Sequence, residues 1–268
     1  MLRPATLKCA ITSVGIFAAL FLLLSRNRSD IMIGQVDKRT SDATTDDVEK
    51  QIQLDSEQTS GPFNMKTCNF DVSAKGQSQI VTAVFKNKTR GTFVEAGAKD
   101  GETGSNSLYL EVALGWTGLL VEADPNYFKQ LAQMNRRAKI VHACVSPSGK
   151  KNSLSIERKN MDNFLSLHGT TFEVQCYPLF NFLEAAGLLK LDVLFLDCDG
   201  IERSVLDTFP WHLTDIGMVF AECNPPGPLE CEHLTEPLVQ IMSKYGYRNI
   251  SQIENDVVFI KNSMEYSP

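Results

Sequence analysis

The sequence predicts an α/β fold: a mostly parallel, doubly wound sheet with an antiparallel C-terminal hairpin, preceded by an N-terminal transmembrane helix and a disordered stem. Three observations predict it. From residue 66 onward, short runs of apolar, β-branched or aromatic residues alternate with stretches of helical spacing. The short runs are nearly continuous in apolar character, as expected of parallel strands covered on both faces. The last two runs are separated only by Glu254 and Asn255, too few residues for a crossover, so they form a hairpin and add an antiparallel edge.

In chain order, residues 1–8 are a short tail. Residues 9–24, CAITSVGIFAALFLLL, carry no charge and are flanked by Arg3 and Lys8 before and Arg26 and Arg28 after. The run is short for a span of about 20 residues, yet it exceeds the roughly 7–15 residues of a signal-peptide core. LLLSRNRSD also offers no small-x-small cleavage site, so residues 9–25 are expected to be an uncleaved signal anchor, with a cleaved signal as the alternative. The run is too apolar for an Arg-rich amphipathic presequence. Two basic side chains on each side leave orientation to the α-amine, which favours a cytosolic N-terminus. The expected layout is a type II single-pass protein of the ER, Golgi and endosomal system or the plasma membrane, with the membrane as partner of residues 9–25. Residues 26–65 are expected to be a disordered stem, because positions 30–65 hold eight acids, three bases and a single aromatic, Phe63.

Residues 66–268 are the head. Strands are expected at 92–98, 118–124, 139–145, 193–198, 218–223, 247–253 and 256–262, and helices at 78–87, 105–115, 126–137, 179–189, 202–209 and 236–246. At 268 residues and 43% hydrophobic content, one domain is expected. A net charge of -6 with scattered Lys and Arg gives no basic footprint, so nucleic acid is not an expected partner. Of seven cysteines, Cys9 lies in the apolar run; Cys68, Cys144, Cys176, Cys198, Cys223 and Cys231 allow oxidised pairs in the head, with Cys198 equally readable as a buried thiol. Sequons at Asn87-Lys-Thr and Asn249-Ile-Ser fit a lumenal head, while Asn27-Arg-Ser sits close to the apolar run.

The stretch GTFVEAGAKDGETGSNS, residues 91–107, ends a strand on Glu95 and turns on Gly97 and Gly101. In an open parallel sheet such strand ends feed the ligand crevice. The glycines let backbone turn tightly and approach a ligand, and Ser105 or Asn106 can cap the next helix. Lys99 stands where a dinucleotide fingerprint needs glycine, and an anion would meet Glu95, Asp100 and Glu102, so the charges favour a cation such as S-adenosylmethionine. The next strand ends VEADPNYF, with Glu122 where nucleoside-binding folds place an acid for the ribose diol and Asp124 beside it. The fourth strand ends LDCDGIE. Burial of Asp197 would raise its pKa toward that of a general base. Asp197 and Asp199 with Glu222 can also hold a divalent ion, or form only a turn with Glu202 capping a helix; no metal is assigned. The four histidines fit no nucleophile pattern, and the motifs of serine hydrolases, zincins and P-loop NTPases are missing.

FVEAGAKDGETGSNSLYLE, GWTGLLVEADPNYF, LDVLFLDCDGIERSVLDTFPW and DVVFIKNS together resemble the FkbM-type methyltransferases, and more narrowly their Star-like membrane branch, over residues 66–262. The resemblance implies a Rossmann-like class I methyltransferase fold. Glu95, Gly97 and Gly101 would line the methionine part of S-adenosylmethionine, Glu122 would take the ribose hydroxyls, and Asp197 would lie near the transferred methyl. The candidate cofactor-binding set is Glu95, Gly97, Asp100, Gly101, Asn106, Glu122 and Asp124, with Asp197 and Asp199 as candidate catalytic residues. One departure is Asp197-Cys198-Asp199-Gly200, a shorter acid where the family shows D-x-E-G. By resemblance the acceptor is a small molecule or carbohydrate, methylated on oxygen. The Star-like branch implies instead a non-catalytic role in moving membrane cargo proteins between ER, Golgi and endosomes.

Overall fold

The computed structural model describes residues 43–59, 61–66, 71, 73, 75–158, 170–223 and 231–266. Along them run α1 (Ala43–Ser56), α2 (Gln77–Val84), β1 (Thr92–Ala96), α3 (Leu108–Leu114), β2 (Thr117–Glu122), α4 (Pro125–Gln133), β3 (Lys139–His142), β4 (Cys144–Val145) and β5 (Asn152–Arg158). They continue through β6 (Thr170–Tyr177), α5 (Leu179–Ala186), β7 (Lys190–Leu196), α6 (Glu202–Thr208), β8 (Asp215–Glu222), α7 (Glu232–Lys244), β9 (Tyr247–Ile253) and β10 (Asp256–Lys261). Seven strands form one sheet in the order β3-β2-β1-β7-β8-β10-β9. The first five are parallel and β10 runs antiparallel to both neighbours, so the expected α/β architecture with its antiparallel tail is present. The winding direction reverses between β1 and β7, which makes their carboxyl ends the switch point where such sheets bind ligands.

Alternation along the strands divides the core into two layers. Val94, Ala96, Val121, Leu194 and Leu196 face a layer containing Phe182, Val205, Leu206 and Met242 of α5 to α7. Phe93, Leu120, Ile140, Phe195 and Phe220 face the other, with Val81, Leu110 and Leu131 of α2 to α4. This parity places side chains at the strand ends as well as in the core.

The stem expectation for 26–65 needs correction at residues 43–56, which form α1 within the same compact unit as the sheet. Thr45, Val48, Ile52 and Asp55 are buried along one helical stripe. Averaged composition hid this stripe, because part of its docking is polar. Ser56 Oγ accepts from Ile140 N at 3.1 Å and Asp55 Oδ2 accepts from His142 N at 2.8 Å. Strand β3 is the outer strand, so these side chains satisfy an edge that would otherwise stay open. Thr45 Oγ1 donates to Glu184 at 2.7 Å and accepts from Asn181 at 2.8 Å, tying α1 to α5.

The strand expected over 139–145 also divides. β3 stops at His142, and Cys144–Val145 pairs with β6 in a second sheet of order β4-β6-β5. Neither β5 nor β6 is anticipated from the sequence. Their pattern is the weaker alternation of a half-exposed antiparallel pair, with Leu154, Ile156, Phe172, Val174 and Cys176 on the packed side. Cys144 pairs with Cys176 and Cys223 with Cys231, while Cys198 is a free thiol; Cys68 lies outside the described residues. The anchor expected at 9–25 lies outside them too, and among the described residues no helix is long and apolar enough to cross a membrane.

Truncation of Ile52 to alanine should cost about 2–5 kcal/mol of stability, the usual range for a buried aliphatic side chain. Equilibrium denaturation of the full chain measures it. A silent substitution would mean that residues 43–56 are a stem after all.

Candidate functional site

Five strands deliver an acid to the same rim with the same parity. Glu122 ends β2, Glu95 precedes the end of β1, Asp197 follows β7, Glu222 ends β8, and Asp256 opens the antiparallel β10. Glu95 lies two positions beyond Phe93, Glu122 beyond Leu120, Asp197 beyond Phe195 and Glu222 beyond Phe220, so all continue the second core layer. Asp256 is paired directly with Glu222. Such a row would repel itself unless each carboxylate were compensated.

Glu95 is 4% exposed and is held by its own loop. Its Oε1 accepts from Asn106 N at 2.8 Å, and its Oε2 accepts from the hydroxyls of Ser105 and Ser107. Those hydroxyls also receive bonds from Arg136, at 3.2 and 2.9 Å. Arg136 further donates to Gly101 O at 2.5 Å and to Glu111 Oε2 at 2.9 Å, with both partners of that ion pair fully buried. Asp100 closes the same loop, accepting from the amides of Glu102 and Thr103 at 3.0 and 2.7 Å and from Lys66 Nζ at 3.0 Å. Burial works against its ionisation, but these donated bonds prevail and keep its pKa low. Gly97 has φ +86° and a Cβ there would lie 1.9 Å from the carbonyl oxygen of Asp197; Gly101, at φ +76°, meets Leu131 in the same way.

Glu122 is 5% exposed. Its oxygens accept from Lys99 N at 2.7 Å and Asp124 N at 2.6 Å. Burial pushes its pKa up to about 7 despite those amides. Asp124 is the N-cap of α4, accepting from Asn126 N at 2.7 Å ahead of Pro125 in the first helical position.

Beyond the switch point, Lys99 Nζ stands 3.3 Å from Asp197 Oδ2, with the two side chains 56% and 30% exposed. Burial opposes the ammonium, but the charges of Asp197, Glu222 and Asp199 outweigh it and raise its pKa. Glu222 Oε2 is buried without a hydrogen-bond partner among the described residues. Burial first, and then the adjoining Asp197, push its pKa up to about 9. Asp256 is raised chiefly by burial, opposed by the 2.6 Å bond from Gln77 Nε2. Asp199 sits on an exposed left-handed turn at φ 54°. Glu202 accepts from Cys198 N at 2.6 Å and Gly200 N at 3.3 Å, which closes that turn. One oxygen each from Asp197, Asp199 and Glu222 lies within 4.8 Å of the others, a grouping also compatible with a hard cation.

All nine sequence-derived candidates thus fall on one rim, although Asp100 and Asp124 spend their oxygens on a turn and a helix cap. Lys99, Glu222, Asp256 and Arg136 are additions to that set. Glu222 obeys the same strand-end rule as Asp197; the pairing of Lys99 with Asp197 spans 98 residues and leaves no local mark. Between β1 and β7 lies a hollow of about 20 Å³ lined by Glu95, Gly97, Lys99, Thr103, Asn106 and Asp197. Asn106 Oδ1 is buried without a hydrogen-bond partner among the described residues.

A family model described as the methyltransferase FkbM domain matches residues 95–249, beginning at Glu95. No curated protein matches the sequence. Among solved structures, precorrin-6y C5,15-methyltransferase from Geobacter metallireducens GS-15 is similar at 14% identity and a TM-score of 0.40, over 72% of this chain and 91% of that one. The fibrillarin pre-rRNA processing protein of Methanococcus jannaschii is similar at 12% identity and 0.41, over 74% and 86%. A methyltransferase FkbM from Methylobacillus flagellatus KT is similar at 12% and 0.40, over 79% of this chain and 58% of that one. These likenesses are too distant to add to the family match.

The proton on Glu222 has a measurable consequence. Its pKa is about 9 in the folded chain against an ordinary 4.5, so the folded state binds more protons than the unfolded chain between those values. The corresponding stability is fully present below the lower value and is lost as pH rises through the higher one. Thermal melting of the full chain should fall between about pH 6 and pH 9, and Glu222→Gln should flatten the fall. An unchanged slope in the glutamine variant would contradict the raised pKa of Glu222.

Proposed function

The chain belongs to the FkbM methyltransferase family, and on that premise we propose that its head binds S-adenosylmethionine along the acidic rim and methylates a hydroxyl of a small-molecule or carbohydrate acceptor. The carrying observation is Asn106 Oδ1, a buried acceptor with no hydrogen-bond partner among the described residues, on a residue that lines the hollow beside Gly97. A donor from a ligand completes it at little cost, whereas leaving it unpaired is unfavourable. When bound, S-adenosylmethionine supplies a methyl group activated on a positively charged sulfur.

The remaining roles belong to side chains of this chain. Asn106 Oδ1 accepts a hydrogen bond from an ammonium group, with Glu95 and Asp197 lending negative charge. Glu122 keeps a second lone pair on each oxygen beyond the amides of Lys99 and Asp124, and with these it accepts from ribose hydroxyls. Asp100, Gly101 and Asp124 fix the turns that present these groups. Asp197 receives the proton of the acceptor hydroxyl, Lys99 pairs with that carboxylate at 3.3 Å, and Asp199 on its exposed turn faces the acceptor. The hollow takes one amino-sized group, and Lys99 must swing aside for the rest of the nucleoside to seat.

The same reading tethers the head through residues 9–25 as a type II protein of the ER, Golgi and endosomal system or the plasma membrane, supported by the uncharged run at 9–24. A second reading is a Star-like, non-catalytic role in moving membrane cargo. The small hollow and the full engagement of Glu95 by its own loop favour it.

Calorimetric titration of the full chain separates the two. Glu122→Ala should weaken S-adenosylmethionine binding by roughly 1–3 kcal/mol, the scale for leaving polar partners unpaired. Unchanged affinity would reject the ribose assignment. Absence of binding by the unaltered chain would favour the cargo reading.

A further inference from the structure

Two features of the head are unused by the acidic rim, and they point the same way. The first is oxidation. Of the five described cysteines, four are joined as Cys144–Cys176 and Cys223–Cys231, and only Cys198 remains a thiol. Cys144 and Cys176 are register partners in the second sheet, and Cys223 follows Glu222 directly at the end of β8. Pairs seated this way within the fold are a mark of oxidising compartments, since cytosolic thiols are kept reduced.

The second is the placement of two sequons. Asn87 lies in the turn after α2, with φ 56°, and Asn87, Lys88 and Thr89 are all exposed. This turn precedes β1, so it sits at the amino end of the sheet, opposite the acids. Asn249 is exposed on β9, the outermost strand. Val258 pairs with Ser251 and Phe259 with Asn249, so the ladder skips Ile250 and the sequon straddles that irregularity. Strand β9 is an edge whose far side has no strand partner among the described residues, a surface that proteins ordinarily blunt with charge, bulges or cover. A bulky hydrophilic group at Asn249 would cover it, and neither position crowds the carboxyl rim.

We propose that Asn87 and Asn249 are modification sites that carry N-linked oligosaccharides, added in the compartment where the two cystines form. In each transfer the side-chain Nδ2 attacks C1 of the terminal sugar of a lipid diphosphate-linked oligosaccharide. The C1–O bond breaks and a C1–N bond forms. The lipid diphosphate departs with the electron pair, and Nδ2 gives up one proton. Each cystine forms as two thiols lose two protons and two electrons to a disulfide-bearing oxidoreductase.

The full chain expressed in a secretory-competent eukaryotic cell tests this without any variant. Peptide N-glycosidase treatment in ¹⁸O-labelled water should convert Asn87 and Asn249, and only these, to labelled aspartate in peptide mass spectra. Gel mobility should shift by two glycan steps in the unaltered chain, by one in Asn87→Gln or Asn249→Gln, and by none when both are replaced. An unlabelled asparagine at either position overturns that assignment, and a glycan left on the double variant overturns the restriction to these two sites. Recovery of Cys144, Cys176, Cys223 and Cys231 as free thiols from the secretory fraction would overturn the compartment on which both sites depend.

Discussion

Five carboxylates cannot stand along one edge of a sheet without something to neutralise them, and the rest of the head is organised by how each is answered. Glu95 receives three donors from the loop after β1, and Glu122 receives two backbone amides. Asp256 takes the amide of Gln77. Asp197 and Glu222 have less: a lysine ammonium beside Asp197, and for Glu222 a pKa raised by burial and by its neighbour. The rim is therefore best satisfied over β1 and β2 and least satisfied over β7 and β8. That gradient is what would let a cationic nucleoside settle on one half while an acceptor loses its proton on the other.

The loop between β1 and α3 can answer Glu95 only because Arg136 holds it in place. Its guanidinium is fully buried and reaches Glu111, Gly101, Ser105 and Ser107, while Glu111 also takes the amide of Arg137 at 2.6 Å. Buried ion pairs of this kind add little net stability, yet removing one partner strands the other in a poor solvent. Such a pair favours one arrangement of the loop over others. Gly97 and Gly101 belong to the same design: one allows β1 to pass against Asp197, and the other lets the loop pass Leu131.

Much of this was legible because the signals are local. An apolar run that ends on an acid marks a strand end, and Glu95, Glu122 and Asp197 each do so within six residues. In sequence Asp124 reads only as a companion of Glu122 in the cofactor set, whereas the structure makes it the N-cap of α4. Lys99 and Arg136 were not legible, because their partners are brought to them by strand order rather than by spacing. Helix α1 was hidden by averaging, since two buried aliphatic residues among eight acids look like a stem until β3 supplies an edge to dock on. The pair β5 and β6 was hidden by its half-exposed alternation, so one cystine partner, Cys176, lay on an unanticipated strand.

The central claim is that the rim is a cation site whose acids hold protons near neutrality. Glu122 has its pKa near 7 and Glu222 near 9, so a positive charge seated between them should lower both and drive protons into solution. The most direct measurement is calorimetric titration of the full chain with S-adenosylmethionine near neutral pH, repeated in buffers of different ionisation enthalpy. The account predicts binding heats that vary with the buffer in the sense of net proton release. Binding with no proton exchange, or with net uptake, would contradict it.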